Sequence, residues 1–131
     1  MRTLAPIPEA TERVGRAVVD SAFRVHAELG PGLLESAYEH CLAYELSARQ
    51  VPFRRQVAMP VRYADSMIDA GYRIDLLVAG MVIVEIKAVD LLLPIHQAQL
   101  LTYLRLSGCR LGFLMNFNVK LFRDGARRVV L

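Results

Sequence analysis

Apolar residues recur at Val14, Val18, Ala22, Val25 and Leu29, at intervals of four, four, three and four, the spacing of one helix face. A first helix is therefore expected from Glu9 or Thr11 to Leu29. Gly30-Pro31-Gly32 stops it, because glycine takes the left-handed cap conformation and proline cannot continue a helix. In a second helix Leu34, Ala37, Cys41, Tyr44 and Ala48 form one apolar stripe, while Leu42 and Leu46 extend a second stripe that carries Glu35 and Tyr38. Beyond Gln50 and Pro52 the period of 3.6 gives way to extended runs at residues 53–61, 71–78 and 81–89. Ala79-Gly80 separates two aliphatic runs, which predicts an antiparallel hairpin. A loop over residues 79–81 pairs Val78 with Val82 and hence Asp75 with Glu85. Pro94 opens a third helix that reaches about Ser107, with Leu100, Leu101 and Leu104 on its apolar side, and Gly108 ends it. A last strand is expected at residues 111–117, with a short extension over 120–131.

At 131 residues, 54% of them hydrophobic, the chain has the length of one domain, residues 1–131, and enough apolar surface for a core. Mean hydropathy is +0.31, yet no apolar run approaches the roughly 18 residues that a membrane helix needs. Membrane-spanning functions are thereby set aside, and the surplus apolar surface suits a homodimer interface. Met1 to Pro8 contains no apolar block of the secretory kind, so the cytoplasm is the expected compartment. Cys41 and Cys109 form no C-x-x-C pair and read as small buried hydrophobes, so no zinc or iron–sulfur site is indicated. Net charge is only +3, but residues 91–131 hold six basic side chains against the single acid Asp124. That basic third either faces a polyanion or forms an ordinary solvated rim.

Candidate chemistry concentrates in the hairpin. Side chains alternate along a strand, so Glu85 and Lys87 share a face, and the expected register adds Asp75. Two carboxylates brought together among aliphatic residues repel one another unless a cation is shared between them. Oxygen donors without a histidine or cysteine cluster suit Mg2+ or Mn2+, and the carbonyl of Ile86 offers a further ligand. Lys87 stands ready to orient a water and to stabilise a developing anion. The plainer alternative is a set of edge ion pairs, Asp75 with Arg73 and Glu85 with Lys87. On the third helix His96, Gln99 and Tyr103 fall at i, i+3 and i+7, one polar face able to bind a phosphate or a water network, or nothing at all. His26 reads as a satisfied core or surface histidine.

Gly32-Leu33-Leu34-Glu35-Ser36-Ala37-Tyr38 spells G-x-x-E-x-x-Y. It is followed in order by Gly71-Tyr72-Arg73-Ile74-Asp75-Leu76, Ile83-Val84-Glu85-Ile86-Lys87-Ala88-Val89, His96 to Leu104 and Leu114-Met115-Asn116-Phe117. From about Val14 to Val130 the chain resembles the GxxExxY family of the PD-(D/E)XK nuclease superfamily. The resemblance implies an α/β sandwich with a restriction-endonuclease-like core, a central four-stranded mixed sheet flanked by helices in the order αα-βββ-α-β. It implies a metal-dependent nuclease with Asp75 and Glu85 as metal ligands, Lys87 as catalytic lysine and Glu35 as the helix acid completing the catalytic and metal set. Gln99 and Tyr103 resemble the Q-x-x-x-Y element of the RecB-like branch, and His96 and Tyr38 join them as substrate-binding candidates. The implied partner is nucleic acid, with DNA the first choice. Two other readings stay open: a non-catalytic nucleic-acid-binding or protein-interaction module on the same fold, and a hydrolase of small phosphoesters.

Overall fold

The structure, a computed structural model, describes residues 5–131. The reading of Met1 to Pro8 as free of a secretory block lies outside the described residues over positions 1–4. Two helices open the chain, α1 (Glu9–Leu29) and α2 (Glu35–Ala48). The strands β1 (Phe53–Ala58), β2 (Val61–Tyr63), β3 (Ser66–Ile68), β4 (Arg73–Val78) and β5 (Val82–Lys87) follow, then α3 (Pro94–Ser107) and β6 (Leu111–Asn116). A 3-10 turn, Phe122–Asp124, leads into β7 (Ala126–Val130). Gly30 at φ 65° and Gly108 at φ 80° end α1 and α3, the conformation for which glycine is suited.

The sheet has five strands in the order β1-β4-β5-β6-β7, not four, because the extension after the expected last strand folds back antiparallel to β6. β5 and β6 run parallel with α3 between them, and the remaining pairs are antiparallel. The expected single strand over 53–61 instead ends at Ala58, and a separate two-stranded ribbon, β2-β3, stands beyond it. This is a mixed α+β sandwich of the restriction-endonuclease-like kind. No helix among the described residues is long and apolar enough to cross a membrane.

Two cores lie on opposite faces of the sheet. Val18, Ala22 and Val25 of α1 and Tyr38, Leu42 and Leu46 of α2 pack on Leu76, Val78, Val82, Val84, Ile86, Phe113 and Met115. Leu100, Tyr103 and Leu104 of α3 cover Ile74, Ile83, Leu114 and Val129. The stripe of α2 that enters the core is the second one; Leu34 and Tyr44 of the first are exposed. α3 lies close on β6 because Gly112 has no side chain, and a Cβ there would stand 3.0 Å from Leu100 and 3.3 Å from the Ile83 carbonyl.

Strict alternation fails at one point. Phe53 and Val57 are four apart on β1, and Leu76 and Ile74 two apart on β4, yet the members of each pair serve opposite cores. The switch falls at Gln56 and Asp75. Gln56 takes φ 51°, a left-handed conformation unfavourable for a non-glycine residue, and the β1–β4 ladder pairs Arg55 with Leu76 and Val57 with Ile74 but omits the two residues between.

Candidate active site

The β4–β5 hairpin turns where Met81 N–H donates to the Val78 carbonyl at 2.9 Å, with Ala79 at φ 53° and Gly80 at φ 66°. Val78 pairs with Val82, Leu77 with Ile83 and Leu76 with Val84, the register expected from the loop. One step further, Asp75 and Glu85 come together and the ladder opens. Asp75 N–H donates to Glu85 Oε1 at 3.2 Å, and Ile86 N–H donates to Asp75 Oδ2 at 2.8 Å. Each strand thus offers an amide to the other's carboxylate in place of a backbone carbonyl.

Glu85 is 6% exposed and Asp75 is half-buried. Loss of hydration, reinforced by the neighbouring Asp75 charge, pushes the Glu85 carboxyl up to about 8. Burial also raises Asp75, against the opposing effect of hydrogen bonds from Ile86 N–H and Gln56. Lys87 favours the charged form of both acids, but less than burial opposes it. Edge ion pairs do not account for the cluster, because among the described residues neither acid forms an ion pair with Lys87 or Arg73. The end of β5 is fixed by Asn116, whose amide accepts from Val89 N–H at 3.0 Å and donates to the Val89 carbonyl at 2.9 Å. Phe117 N–H takes the Lys87 carbonyl at 2.9 Å. Carbonyls alternate along a strand, so that of Ile86 lies on the β4 edge, beside Asp75.

The other candidates divide. Gln99 Nε2 donates to Tyr103 Oη at 3.1 Å, and burial together with the Glu85 charge raises the Tyr103 hydroxyl. His96 is half-buried at the start of α3, and its Nδ1 accepts Leu93 N–H at 3.0 Å, capping the helix. Tyr38 points into the core. It is fully buried, stacks on Phe117 at 4.6 Å, donates to the Gly30 carbonyl at 2.6 Å and accepts Leu33 N–H at 3.2 Å. Its motif position secures the turn between α1 and α2. His26, also buried, meets the Val119 carbonyl at 2.7 Å.

Glu35 is not brought to the cluster. As the first residue of α2 it is exposed, and it makes no hydrogen bond or ion pair among the described residues. One turn later Glu39 is buried and reaches the site through Gln56, whose Nε2 donates to Glu39 Oε1 at 2.6 Å and to Asp75 Oδ1 at 3.3 Å. Arg55 holds the other Glu39 oxygen with Nε at 2.9 Å and Nη2 at 2.7 Å. Glu39 was discoverable, since it precedes Ala43 by four and Leu46 by seven and so borders the buried stripe. Gln56 had no sequence signal, because its reach depends on the left-handed backbone inside β1.

Among the described residues no three His, Cys, Asp or Glu side chains converge as a metal set. The pair nevertheless fits a hard divalent cation, which would relieve the repulsion of two sequestered carboxylates and take the Ile86 carbonyl as a neutral donor. Such ions keep several waters, so two carboxylates suffice. The basic third is partly spent on structure: Arg110 binds the carbonyls of Ala5, Pro6 and Leu131, and Arg128 pairs with Glu12 at 2.9 Å.

Paired acids thus stand on adjacent strands of this sandwich, with a lysine two residues after the second. A family model described as the PD-(D/E)XK nuclease superfamily matches residues 12–129, and the chain belongs to that family. No curated protein and no solved structure matches the chain.

Proposed function

We propose that this chain is a metal-dependent nuclease of the GxxExxY group that hydrolyses phosphodiester bonds of a nucleic acid. The observation that carries the reading is the Asp75–Glu85 pair, Glu85 buried and Asp75 half-buried, lacking an ion-paired cation among the described residues and followed on the same strand by Lys87. Asp75, Glu85 and the Ile86 carbonyl would hold Mg2+ or Mn2+, which when bound supplies Lewis acidity and offsets phosphate charge. Lys87 directs N–H donors toward the attacking water and the phosphate, and its charge favours the negative transition state. Gln99 and Tyr103 orient the phosphate or its waters from α3. Glu39, held by Arg55 and Gln56, fixes Asp75 from the opposite side of the sheet.

The test is incubation of the full chain with single-stranded, double-stranded and branched DNA and with RNA in Mg2+ or Mn2+. Calorimetric titration of the metals into wild type and into the Asp75→Asn, Glu85→Gln double variant accompanies it. Cleavage, and metal binding that the double variant loses, support the reading; intact substrates and silent titrations, with DNA present, overturn it in favour of a binding module. We further propose a homodimer, for which a sedimentation profile of a 14.7 kDa monomer at micromolar concentration is the contrary outcome.

A further inference from the structure

A groove of about 400 Å3 opens on the α3 side of the sheet, lined by Val61 of β2, by Tyr72 and by Ile95, Ala98, Gln99, Thr102, Tyr103 and Leu106 of α3. Its volume lies in the range of small-ligand pockets, about 300–1,000 Å3. None of these lining residues is charged; they offer two aromatic rings, aliphatic walls, an amide and hydroxyls. Tyr72 is 44% exposed and meets Tyr103 edge-on, with ring centroids 6.4 Å apart.

One charge stands beside the α3 wall: Arg105 is exposed, donates to the lining Thr102 Oγ1 at 3.1 Å and pairs with no acid among the described residues. A neutral aromatic groove with an arginine beside it matches a nucleotide strand, whose bases present π-faces and whose phosphates are anionic. Tyr103 ties the groove to the sheet, since its ring lines the groove, its hydroxyl is bonded to Gln99, and it packs in one buried cluster with Ile74, the residue before Asp75.

We propose that this groove takes one unpaired base of the nucleic acid, stacked on Tyr72, next to the phosphodiester presented to Asp75 and Glu85. The proposal rests on the nuclease reading and adds to it the class of substrate, a strand unpaired at the point of cleavage. A base held in a duplex cannot enter, because its faces are already stacked and its edge already paired.

Binding is measured without metal, by fluorescence anisotropy of a labelled short oligo(dT) and of a duplex of equal length, on the full chain and on Tyr72→Ala and Tyr72→Phe. Tyr72→Ala is expected to weaken single-strand binding about ten-fold, the scale of one base stacked on an aromatic ring, with the salt dependence unchanged. Tyr72→Phe retains the affinity, duplex binding does not change, and thermal unfolding confirms that each variant folds. Single-strand affinity unaltered in Tyr72→Ala, equal losses on duplex, or no single-strand binding by wild type overturns the proposal. Tyr72-dependent binding without cleavage leaves the groove standing and removes the nuclease reading. Cleavage of duplex DNA that ignores Tyr72 does the reverse.

Discussion

The β4–β5 hairpin has two halves of opposite character. Near the turn, from Leu76 and Val84 to Val78 and Val82, every cross-strand pair closes the ladder and all four of these side chains are fully buried in the α1–α2 core. Three residues from the turn on either side, the same two strands hold Asp75 and Glu85, give up the ladder and bond each other's amides with carboxylates. The closed half contributes stability through apolar burial, whereas the open half concentrates charge in a place that disfavours it. Such a cluster persists because the packed half over-determines the register, and the strain at Gln56 is held in the same way.

The contrast is broken most severely in the closed half. Leu76→Ala should cost about 3 kcal/mol in denaturant unfolding, by loss of buried methyl groups and the cavity left behind. In the open half, Lys87→Ala should lower cleavage about a hundred-fold, near 2.7 kcal/mol of barrier, while the melting temperature and the salt dependence of DNA affinity stay put. A parallel loss of affinity would show that Lys87 merely binds phosphate.

Glu85 sharpens the comparison through pH. Its folded-state value lies above the ordinary 4.5, at about 8, so its contribution is fully present below about pH 4.5 and lost as pH rises through about 8. The metal-free protein should therefore melt at lower temperature at pH 9 than at pH 5. Glu85→Gln should flatten that slope and stabilise the protein at pH 9, on the order of 2 kcal/mol. Saturating Mg2+ should flatten it in wild type, because a cation favours the ionised pair. A wild-type melting temperature that is level across this range sinks the account of the open half. The smallest effect is expected at the turn, where Ala79→Gly relieves a left-handed alanine and should raise stability by about 0.5 kcal/mol.

Much of this arrangement was legible in the chain. The helix bounds follow from periodicity with Pro94, Gly30 and Gly108 as punctuation, and the hairpin register follows from the loop at residues 79–81. Because register fixes which residues face each other, Asp75 and Glu85 could be joined without a structure. The different placements of Glu35 and Glu39 show where that reasoning stops: a helical pattern gives two stripes, and only the partner surface decides which is covered. Glu35 lies on the correct stripe but at the exposed end of α2, whereas Glu39 sits where the helix meets the sheet. Tyr38 teaches the same lesson, since its motif spacing marks the residue but not whether its hydroxyl turns to a ligand or to the Gly30 carbonyl.

The sequence by itself determined what depends on neighbours along the chain: helix spans, caps, the hairpin and the meeting of two acids beside a lysine. Only the tertiary structure decided what depends on surfaces brought from afar. It folded residues 126–130 back onto β6, turned β1 and β4 through the sheet at Gln56 and Asp75, and set Tyr72 against Tyr103. Local periodicity encodes which face of an element is apolar, but long-range packing selects the element that covers it.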